Sequence, residues 1–321
     1  MEPKLYHQLW IHREMLRDKV RCEAYRKAIF RLVKPGSVVL DVGTGTGIMA
    51  MYAAQAGARR VYAVERTSMA DIAKEIIRRN GLSDAIRVVK GDINDVKLPE
   101  KVDVLISEWM GGFAVDENLA DPICLARDRW LKPGGIMVPD TVTVWLAPVW
   151  DAKLQDALHL WESKSHGVDL GLIADYMTQE IFNARHDIVK KSLLAEPKLL
   201  WTFNTGTIKH AKTTAPFRSD FCVKASKKGM VNALAAWFHA DFKCGVMLTN
   251  APDAPGTHWG RTIMPMRIGQ PVQSGTDIRI KFICTPVAPN LCDTEWKVKI
   301  GNGQWNGSSG RQGCTASLGF G

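Results

Sequence analysis

The stretch VVLDVGTGTG, residues 38–47, determines the predicted fold of the first half of this 321-residue chain. Its first five residues form an apolar run typical of a buried strand, interrupted only by the carboxylate of Asp41. Gly43, Gly45 and Gly47 follow at alternate positions, and glycines at a strand end let the backbone turn tightly and let a ligand approach it closely. The stretch therefore predicts a strand, a turn and a helix that form a cofactor site at the end of a parallel sheet.

The spacing of these glycines distinguishes between two classes of cofactor. G-x-G-x-G differs from the G-x-G-x-x-G fingerprint of dinucleotide-binding proteins. Asp41 precedes the turn, where a carboxylate would repel a pyrophosphate but attract the ammonium group of an amino-acid moiety. Glu65 ends the next predicted strand, RVYAVE, where a carboxylate accepts hydrogen bonds from ribose hydroxyls. These features favour S-adenosylmethionine, with a nicotinamide dehydrogenase as the alternative for this half of the chain.

The secondary-structure pattern divides the chain in two. Strands and helices alternate as far as Pro139-Asp140, which predicts a parallel α/β sheet covered on both faces. Strand-like segments separated by turns dominate the second half, which favours a β-barrel or sandwich. The predicted organisation is an N-terminal helical segment at 1–34, a Rossmann-like cofactor domain at 35–140 and a second domain at 141–321.

One continuous helix is predicted over residues 13–33, because residues of one face recur at spacings of three and four: Met15, Asp18, Cys22, Tyr25 and Ile29. Asp18 is the one carboxylate in this otherwise mostly apolar face, and Arg21 lies close to the same face. The simplest interpretation of the two charges is a helix-surface ion pair, worth less than about 1 kcal/mol.

Composition limits the classes of partner. The 42 Lys and Arg residues outnumber the 33 Asp and Glu residues, which gives a net charge of +9. The basic residues are spread along the sequence and no nucleic-acid motif accompanies them, so a nucleic-acid partner is not favoured. The seven cysteines have no metal-ligand spacing, which favours reduced thiols and no bound metal. Since no apolar stretch suits a membrane helix or a signal peptide, we expect no membrane association and a cytoplasmic location, with the nucleus left open.

The stretch SEWMGGFAVDE, residues 107–117, carries the second chemical signal. Glu108 follows the predicted strand VDVLI at once, and Glu117 lies nine residues later, with two glycines and three large apolar residues between them. An arginine guanidinium is a planar cation with a fork of donors, which carboxylates grip through paired hydrogen bonds. Two carboxylates flanking a bend therefore suit a guanidinium better than a lysine ammonium.

This stretch resembles the double-glutamate loop of the protein arginine methyltransferases, with the pattern S-E-x-M-G and a second Glu nine residues after the first. Other segments agree in order: MLRDKVRCEAY, LDVGTGTGIMAMYAAQAGARRVYAVE, LKPGGIMVPD and Thr257-His258-Trp259. The resemblance implies a Rossmann-like domain followed by a β-barrel with a helical dimerisation arm, here at about 155–180. It also implies S-adenosylmethionine as methyl donor, S-adenosylhomocysteine as product, a homodimer, and arginine-containing protein substrates such as Arg/Gly-rich proteins or histone tails.

The resemblance also implies a role for each matching residue. Glu108 and Glu117 would bind and orient the substrate arginine, and Asp18 would face His258 across the two domains. Trp259 and Met110 would line the arginine slot. The cofactor would be held by His12, Met15, Arg21, Asp41, Gly43, Gly45, Glu65 and Asn94.

Met15 together with His258 resembles the type I subgroup, which makes asymmetric dimethylarginine. The chain departs from the family pattern at Asn94, where a glutamate is usual, so a weaker hold on the adenine is expected. Gly112 and Asp116 stand where larger residues are common, which predicts a roomier or more acidic arginine slot. The alternative function is a catalytically weak member of the family that acts as a scaffold or regulatory subunit.

Overall fold

A computed structural model describes residues 8–164, 167–184, 188–288 and 290–309 of the chain. In the first half, five strands form a parallel sheet in the order β3-β2-β1-β4-β5. They are β1 Val38–Val42, β2 Arg60–Glu65, β3 Ile86–Lys90, β4 Val102–Ser107 and β5 Leu131–Val138. The strand order reverses between β1 and β4, and ligands of open α/β sheets bind beside such a reversal, at the carboxyl ends of the strands.

Helices connect these strands and cover the sheet. They are α3 Ile48–Gln55, α4 Met69–Arg79 and α5 Ala120–Trp130. Every residue of β1 is buried, as expected for a strand with covered faces. The predicted alternation of strands and helices is thereby confirmed, and α5 is an element that the sequence pattern did not reveal.

The N-terminal segment corrects one prediction. The single helix predicted over residues 13–33 is two helices, α1 Leu9–Arg17 and α2 Lys19–Leu32. They meet at Asp18, whose backbone (φ −70°, ψ 87°) is not helical and whose side chain accepts a hydrogen bond from Arg21 N. Asp18 is thus the N-cap of α2 and not a carboxylate within a helix face, which also excludes the predicted surface ion pair with Arg21.

The second half consists of two antiparallel sheets. A six-stranded sheet has the order β7-β12-β10-β6-β8, with β11 paired to β10, and a four-stranded sheet has the order β15-β14-β13-β9. The strands are β6 Thr141–Val149, β7 Phe182–Ala184, β8 Lys198–Asn204, β9 Phe217–Lys224, β10 Gly229–Asp241, β11 Met247–Thr249, β12 Arg261–Val272, β13 Asp277–Ala288, β14 Leu291–Ile300 and β15 Gly303–Ser308.

Aromatic side chains join the two sheets. Trp201 of β8 stacks on Phe282 of β13 with ring centroids 5.5 Å apart. Trp296 of β14 donates from its indole nitrogen to the Pro265 carbonyl of β12, 3.3 Å away. Since the sheets enclose one apolar core, the arrangement agrees with the predicted β-barrel.

Two helices, α6 Ala152–Glu162 and α7 Gly171–Met177, occupy the segment predicted to be a dimerisation arm. Their inner side chains, Leu154, Leu158 and Ala174, are buried in one cluster with side chains of β6, β7, β10 and β12. Their outer surface carries large exposed apolar side chains: Leu160, Leu172, Ile173 and Tyr176. A short helix, α8 His210–Thr213, lies later in the chain. None of the described helices is both long and apolar enough to cross a membrane.

Candidate active site

A buried carboxyl group, that of Asp41, stabilises the glycine turn after β1. Asp41 is buried and accepts a hydrogen bond from Thr44 Oγ1 at 2.5 Å. Burial raises the pKa of Asp41 from 3.8 to about 6, against the lowering effect of the Thr44 hydrogen bond. Gly43 and Gly45 have φ angles of +73° and +54°, which glycine adopts without steric cost. The predicted turn therefore forms with Asp41 directly beside it.

The second predicted carboxylate, Glu65, lies at the end of β2 and contacts the same turn. One of its oxygens accepts from Gly45 N at 3.0 Å and the other from Thr67 N at 2.9 Å. The ring of His12 covers the turn from the N-terminal helix, since a Cβ added to Gly45 would lie 3.2 Å from His12 Cε1. Glu65, Gly45 and His12 therefore surround one small region at the carboxyl end of the sheet.

Asn94 follows β3 at this end of the sheet. Its side-chain oxygen is buried and has no hydrogen-bond partner among the described residues. A buried acceptor without a donor is costly, and a ligand that offers an amino group would satisfy it. The predicted adenine contact at Asn94 therefore fits the structure, although its role stays a prediction.

Arg21 and Glu108 form the central ion pair of the site. Arg21 Nε and Nη2 lie 3.1 and 3.0 Å from Glu108 Oε2, and both side chains are close to fully buried. The other oxygen of Glu108 accepts from Met110 N at 3.2 Å. Although burial alone would lower it, the Glu108 carboxylate raises the pKa of Arg21 above its ordinary value. A residue predicted for the cofactor thus contacts a residue predicted for the arginine.

Asp18 and His258 meet as the resemblance implies. Asp18 Oδ2 accepts from His258 N at 2.9 Å and lies 2.9 Å from His258 Nδ1. Burial would raise the pKa of Asp18, but the hydrogen bonds from His258 and Arg21 N hold it below its ordinary value. Asp18 therefore connects the barrel to the N-terminal helices as an ionised carboxylate. The carbonyl of Met15 lies near the same junction, 3.5 Å from Arg21 Nη1.

Trp259 fixes the other side of the double-glutamate loop. Its indole nitrogen donates to the Met110 carbonyl at 2.7 Å, and its ring contacts the rings of Phe238 and His258. Trp259 and Met110 are both buried. The two residues predicted to line the arginine slot are therefore in direct contact, through the main chain of the loop.

The loop itself is held by polar contacts that the sequence did not reveal. Asp116 accepts from Gly112 N at 2.9 Å and from Phe113 N at 3.1 Å. Asn250 donates to the carbonyls of both Gly112 and Gly260 at 2.8 Å, which joins the double-glutamate loop to the Thr257-His258-Trp259 loop. Nothing in the local sequence distinguishes Asn250 from other loop residues. It acquires this role because folding brings it next to Gly112, 138 residues away in the sequence.

These contacts correct the expectation of a roomier or more acidic slot. A Cβ on Gly112 would lie 2.4 Å from the side-chain oxygens of Asn183 and Thr262, so glycine fills a closely packed position. The carboxylate of Asp116 is turned toward the backbone of its own loop, where burial raises its pKa against the lowering effect of the two hydrogen bonds. Neither residue enlarges the slot, because both are engaged in shaping the loop.

Glu117, the second glutamate, is half-buried in the segment between this loop and α5. It follows Asp116 directly, so the contacts that fix Asp116 also restrict Glu117. The pairing of Glu108 with Glu117 around one guanidinium stays a prediction. Among the described residues, no group of three or more His, Cys, Asp or Glu side chains is arranged to hold a metal ion.

The groups at the carboxyl end of the sheet suit a nucleoside that carries an amino acid. Asn94 offers an acceptor that no described residue satisfies, each Glu65 oxygen has a lone pair beyond the hydrogen bond it accepts, and Asp41 and Arg21 provide charges of opposite sign for an amino acid. The fold and these groups define an S-adenosylmethionine-dependent methyltransferase.

Comparison with known proteins specifies the class further. Residues 39–135 match the methyltransferase domain family and residues 140–300 match the arginine methyltransferase oligomerization subdomain. Protein arginine N-methyltransferase PRMT10 of Oryza sativa subsp. japonica is 36% identical, over 96% of this chain and 87% of the relative. The chain belongs to the protein arginine N-methyltransferase family, and it is an enzyme that methylates protein arginine with S-adenosylmethionine.

Solved structures agree with this assignment. The Trypanosoma brucei PRMT1 enzyme–prozyme heterotetrameric complex with AdoHcy superimposes with a TM-score of 0.84 at 30% identity, over 94% of this chain and 99% of that chain. Arabidopsis thaliana protein arginine methyltransferase 10, in an open conformation, superimposes with a TM-score of 0.80 at 30% identity, over 95% of this chain and 99% of that chain. The predicted family, fold and cofactor are thereby confirmed.

Proposed function

We propose that this enzyme forms monomethylarginine and asymmetric dimethylarginine, the products of a type I protein arginine methyltransferase. The observation that carries the proposal is the buried contact of Asp18 with His258 beside Arg21 and Glu108. Met15 and His258 are the residues that resemble the type I subgroup, and both belong to this junction. A slot built in this way holds the guanidinium in one orientation, so that the same terminal nitrogen receives both methyl groups.

The chain's own residues have distinct tasks in this proposal. Glu108 and Glu117 accept hydrogen bonds from the guanidinium, and this withdraws positive charge and leaves electron density on the nitrogen that is not held. Asp41, Glu65, Asn94 and Arg21 hold the cofactor, which supplies an electrophilic sulfonium methyl group when bound. Trp259 and Met110 exclude water from the slot. Orientation and charge placement supply much of the lowering of the barrier in such a transfer.

Arg21 has a further task within this arrangement. Its guanidinium now pairs with Glu108, so the pair holds the Glu108 carboxylate in position before an arginine arrives. A cofactor carboxylate would share Arg21 and reduce its hold on Glu108. Cofactor binding would thus make Glu108 a better acceptor for the substrate guanidinium.

We also infer that the enzyme acts as a homodimer on Arg/Gly-rich proteins or histone tails in the cytoplasm or nucleus. The dimer is supported by the match to an oligomerization subdomain and by the exposed apolar side chains of α6 and α7. The substrate class is supported by the resemblance of the double-glutamate loop to that of the family.

The test combines labelled S-adenosylmethionine, an Arg/Gly-rich protein, and mass spectrometry of the modified arginines. We expect asymmetric dimethylarginine from the wild-type chain, and loss of transfer by about 10³-fold or more in Glu108→Gln and in Glu117→Gln, since each removes a charge that holds the guanidinium. Glu196→Gln, at an exposed glutamate outside the site, is the matched control and should retain full activity.

The outcomes separate the parts of the proposal. Symmetric dimethylarginine, or monomethylarginine alone, would preserve the enzyme class but exclude type I chemistry. Full activity of Glu117→Gln would exclude the second glutamate from binding arginine. Cofactor binding by calorimetry, measured on the same samples, distinguishes a lost arginine site from a lost cofactor site.

A further inference from the structure

The outer face of the four-stranded sheet collects basic residues that are far apart in the sequence. Side chains alternate along β9, β13 and β14, so one set faces the barrel core, where it is buried or, in β9, half-buried, and the other is exposed. The exposed set contains six basic residues, which we call the basic sheet face: Arg218, Lys224, Arg279, Lys281, Lys297 and Lys299. The sequence has no contiguous basic run here, and only the sheet brings these charges together.

Four of these cations form a square on the two central strands of the sheet. Arg279 lies directly opposite Lys299, and Lys281 lies directly opposite Lys297. Successive exposed residues of one strand are about 7 Å apart and neighbouring strands about 5 Å apart. Because like charges directly opposite each other destabilise a sheet, two such pairs side by side carry an energetic cost that a bound anion would relieve.

Local carboxylates neutralise only part of this charge. Lys281 pairs with Asp220 at 3.0 Å, and Lys224 pairs with Asp277 at 2.8 Å. Within the described residues, no carboxylate lies within ion-pair distance of Lys297, Lys299 or Arg279. The other carboxylates on this side of β14 are the half-buried Asp293 and the exposed Glu295, which precedes Lys297 by two residues. The charge of the face is therefore polarised, with its cations gathered toward the Lys299 end.

We propose that the basic sheet face binds the phosphate backbone of nucleic acid without preference for base sequence. Lysine ammonium groups suit phosphates as point charges, and the amides of Gln304 and Asn306 lie opposite Lys299 and Lys297 as further donors. Backbone binding of this kind depends on charge alone and needs no apolar contact.

An acidic protein surface fits the same face less well. Lysine is depleted at the centre of protein interfaces, where aromatic and other apolar anchors supply most of the binding energy. None of the exposed residues around the square is a large apolar side chain: Asp220, Cys222, Lys224, Asp277, Gln304 and Asn306. Substrate arginines are themselves cationic, so the net charge of +9 does not serve the methylation substrate. A field of this sign steers polyanions toward the protein.

The experiment measures fluorescence anisotropy of a labelled 20-nucleotide oligouridine titrated with the full chain at several salt concentrations. Four phosphate contacts predict a log–log slope of about −3, which weakens binding by about 50-fold between 50 and 200 mM salt. In Lys297→Gln/Lys299→Gln the slope should fall to about −1.4, a change of only about sevenfold over the same range. A labelled DNA duplex should also bind, with a slope of about −3.6 for four contacts, because the face reads no base edges.

Lys74→Gln/Lys101→Gln is the matched control, since it removes two exposed lysines of the parallel-sheet domain that form no ion pair with any described residue. It should leave the slope unchanged. Methyl transfer to a short arginine peptide, without nucleic acid, should be equal in all three proteins. A variant that fails to fold would lose this activity, and the identity of the methylated product tests the proposed function independently of nucleic-acid binding.

Three results would overturn the proposal. One is the absence of salt-dependent binding to oligouridine by the wild-type chain. Another is a control variant whose log–log salt slope falls as much as that of Lys297→Gln/Lys299→Gln, which would mean that binding depends on the net charge of the protein and not on the basic sheet face. The third is displacement of oligouridine by an equal charge concentration of polyglutamate, which would identify the face as a docking surface for acidic proteins.

Discussion

Asp41 is a buried carboxyl group whose pKa, at about 6, lies close to neutral pH. The rise from 3.8 corresponds to about 3 kcal/mol of unfavourable free energy for the ionised form in the folded chain. The folded protein therefore binds a proton at Asp41 more readily than the unfolded chain does. Ionisation of Asp41 therefore lowers the free energy of unfolding as the pH rises from about 4 to 6. Above pH 6 the free energy of unfolding is reduced by the full amount of about 3 kcal/mol.

The predicted role of Asp41, attraction of the cofactor ammonium group, requires the ionised carboxylate. We expect the affinity for S-adenosylmethionine to rise between pH 5 and pH 7, with a change approaching tenfold per pH unit below about pH 6. In Asp41→Asn, affinity should be lower at pH 7 and should not change with pH over this range. Isothermal titration calorimetry at pH 5, 6 and 7 measures both effects.

Asp84→Asn, which removes an exposed carboxylate away from the turn, should reproduce the wild-type pH dependence. A wild-type affinity that is constant from pH 5 to pH 7 would mean that Asp41 shapes the turn without meeting the ammonium group.

Single residues differ in how far the sequence specifies them. Asp41 was predictable from a local pattern, because it lies at a strand end beside a glycine turn, and Glu65 was predictable because it ends the next strand of the same parallel sheet. The contact of Asp18 with His258 was inferred only through the family resemblance, since it joins residues 240 positions apart. Asn250 was not predictable, because nothing local marks a loop asparagine whose amide reaches Gly112 and Gly260 after folding.

At the scale of elements, the double-glutamate loop is a rigid unit. The carboxylate of Asp116 caps its backbone, the Asn250 amide holds its middle, and Trp259 holds its beginning through Met110. Gly112 lies where all these constraints meet. The loop therefore delivers Glu108 in a fixed geometry, as positional catalysis requires.

The prediction at this scale is that Gly112→Ala displaces the loop. A Cβ would lie 2.4 Å from both the Asn183 and Thr262 oxygens, so either the loop or β7 and β12 must shift. We expect kcat/KM for an arginine peptide to fall by about 10- to 100-fold, the scale of effect that a misplacement of 1 Å can cause. Cofactor affinity should change little, because the glycine turn lies on other strands.

Gly256→Ala is the matched control, since a Cβ there has no described neighbour within 4 Å and the residue lies in the loop that leads to His258. It should retain activity. If Gly112→Ala were as active as the control, the close contact with Asn183 and Thr262 would have no bearing on the position of Glu108.

Elements were predicted well where their burial pattern was regular. The alternating exposure of β14 and the full burial of β1 both follow from sequence periodicity. The helix α5 escaped prediction because Arg127 is buried within it and donates to the Thr205 carbonyl at 2.7 Å, which interrupts the apolar pattern. The break between α1 and α2 escaped because the contact with His258, which stabilises Asp18 there, comes from the second domain.

At the scale of the whole molecule, Arg267 of β12 forms ion pairs that join the barrel to the helices α6 and α7. Its Nε lies 2.6 Å from Asp175 of α7 and its Nη1 lies 2.5 Å from Glu162 of α6. One guanidinium fork thus holds both helices in one orientation on the barrel. The exposed apolar residues that would form the dimer contact are carried by these same helices, so their presentation depends on Arg267.

We therefore expect Arg267→Gln to weaken the proposed homodimer by about tenfold while leaving the monomer folded, because partly exposed ion pairs contribute little to stability but fix orientation. Sedimentation equilibrium gives the dissociation constant, and circular dichroism checks the fold.

Lys164→Gln is the matched control. It removes a more exposed ion pair with Asp169, 3.8 Å apart, in the same segment, and should not change dimerisation. An unchanged dissociation constant in Arg267→Gln would mean that apolar packing of α6 and α7 alone sets their orientation. A wild-type chain that sediments as a monomer would remove the dimer from the proposed function.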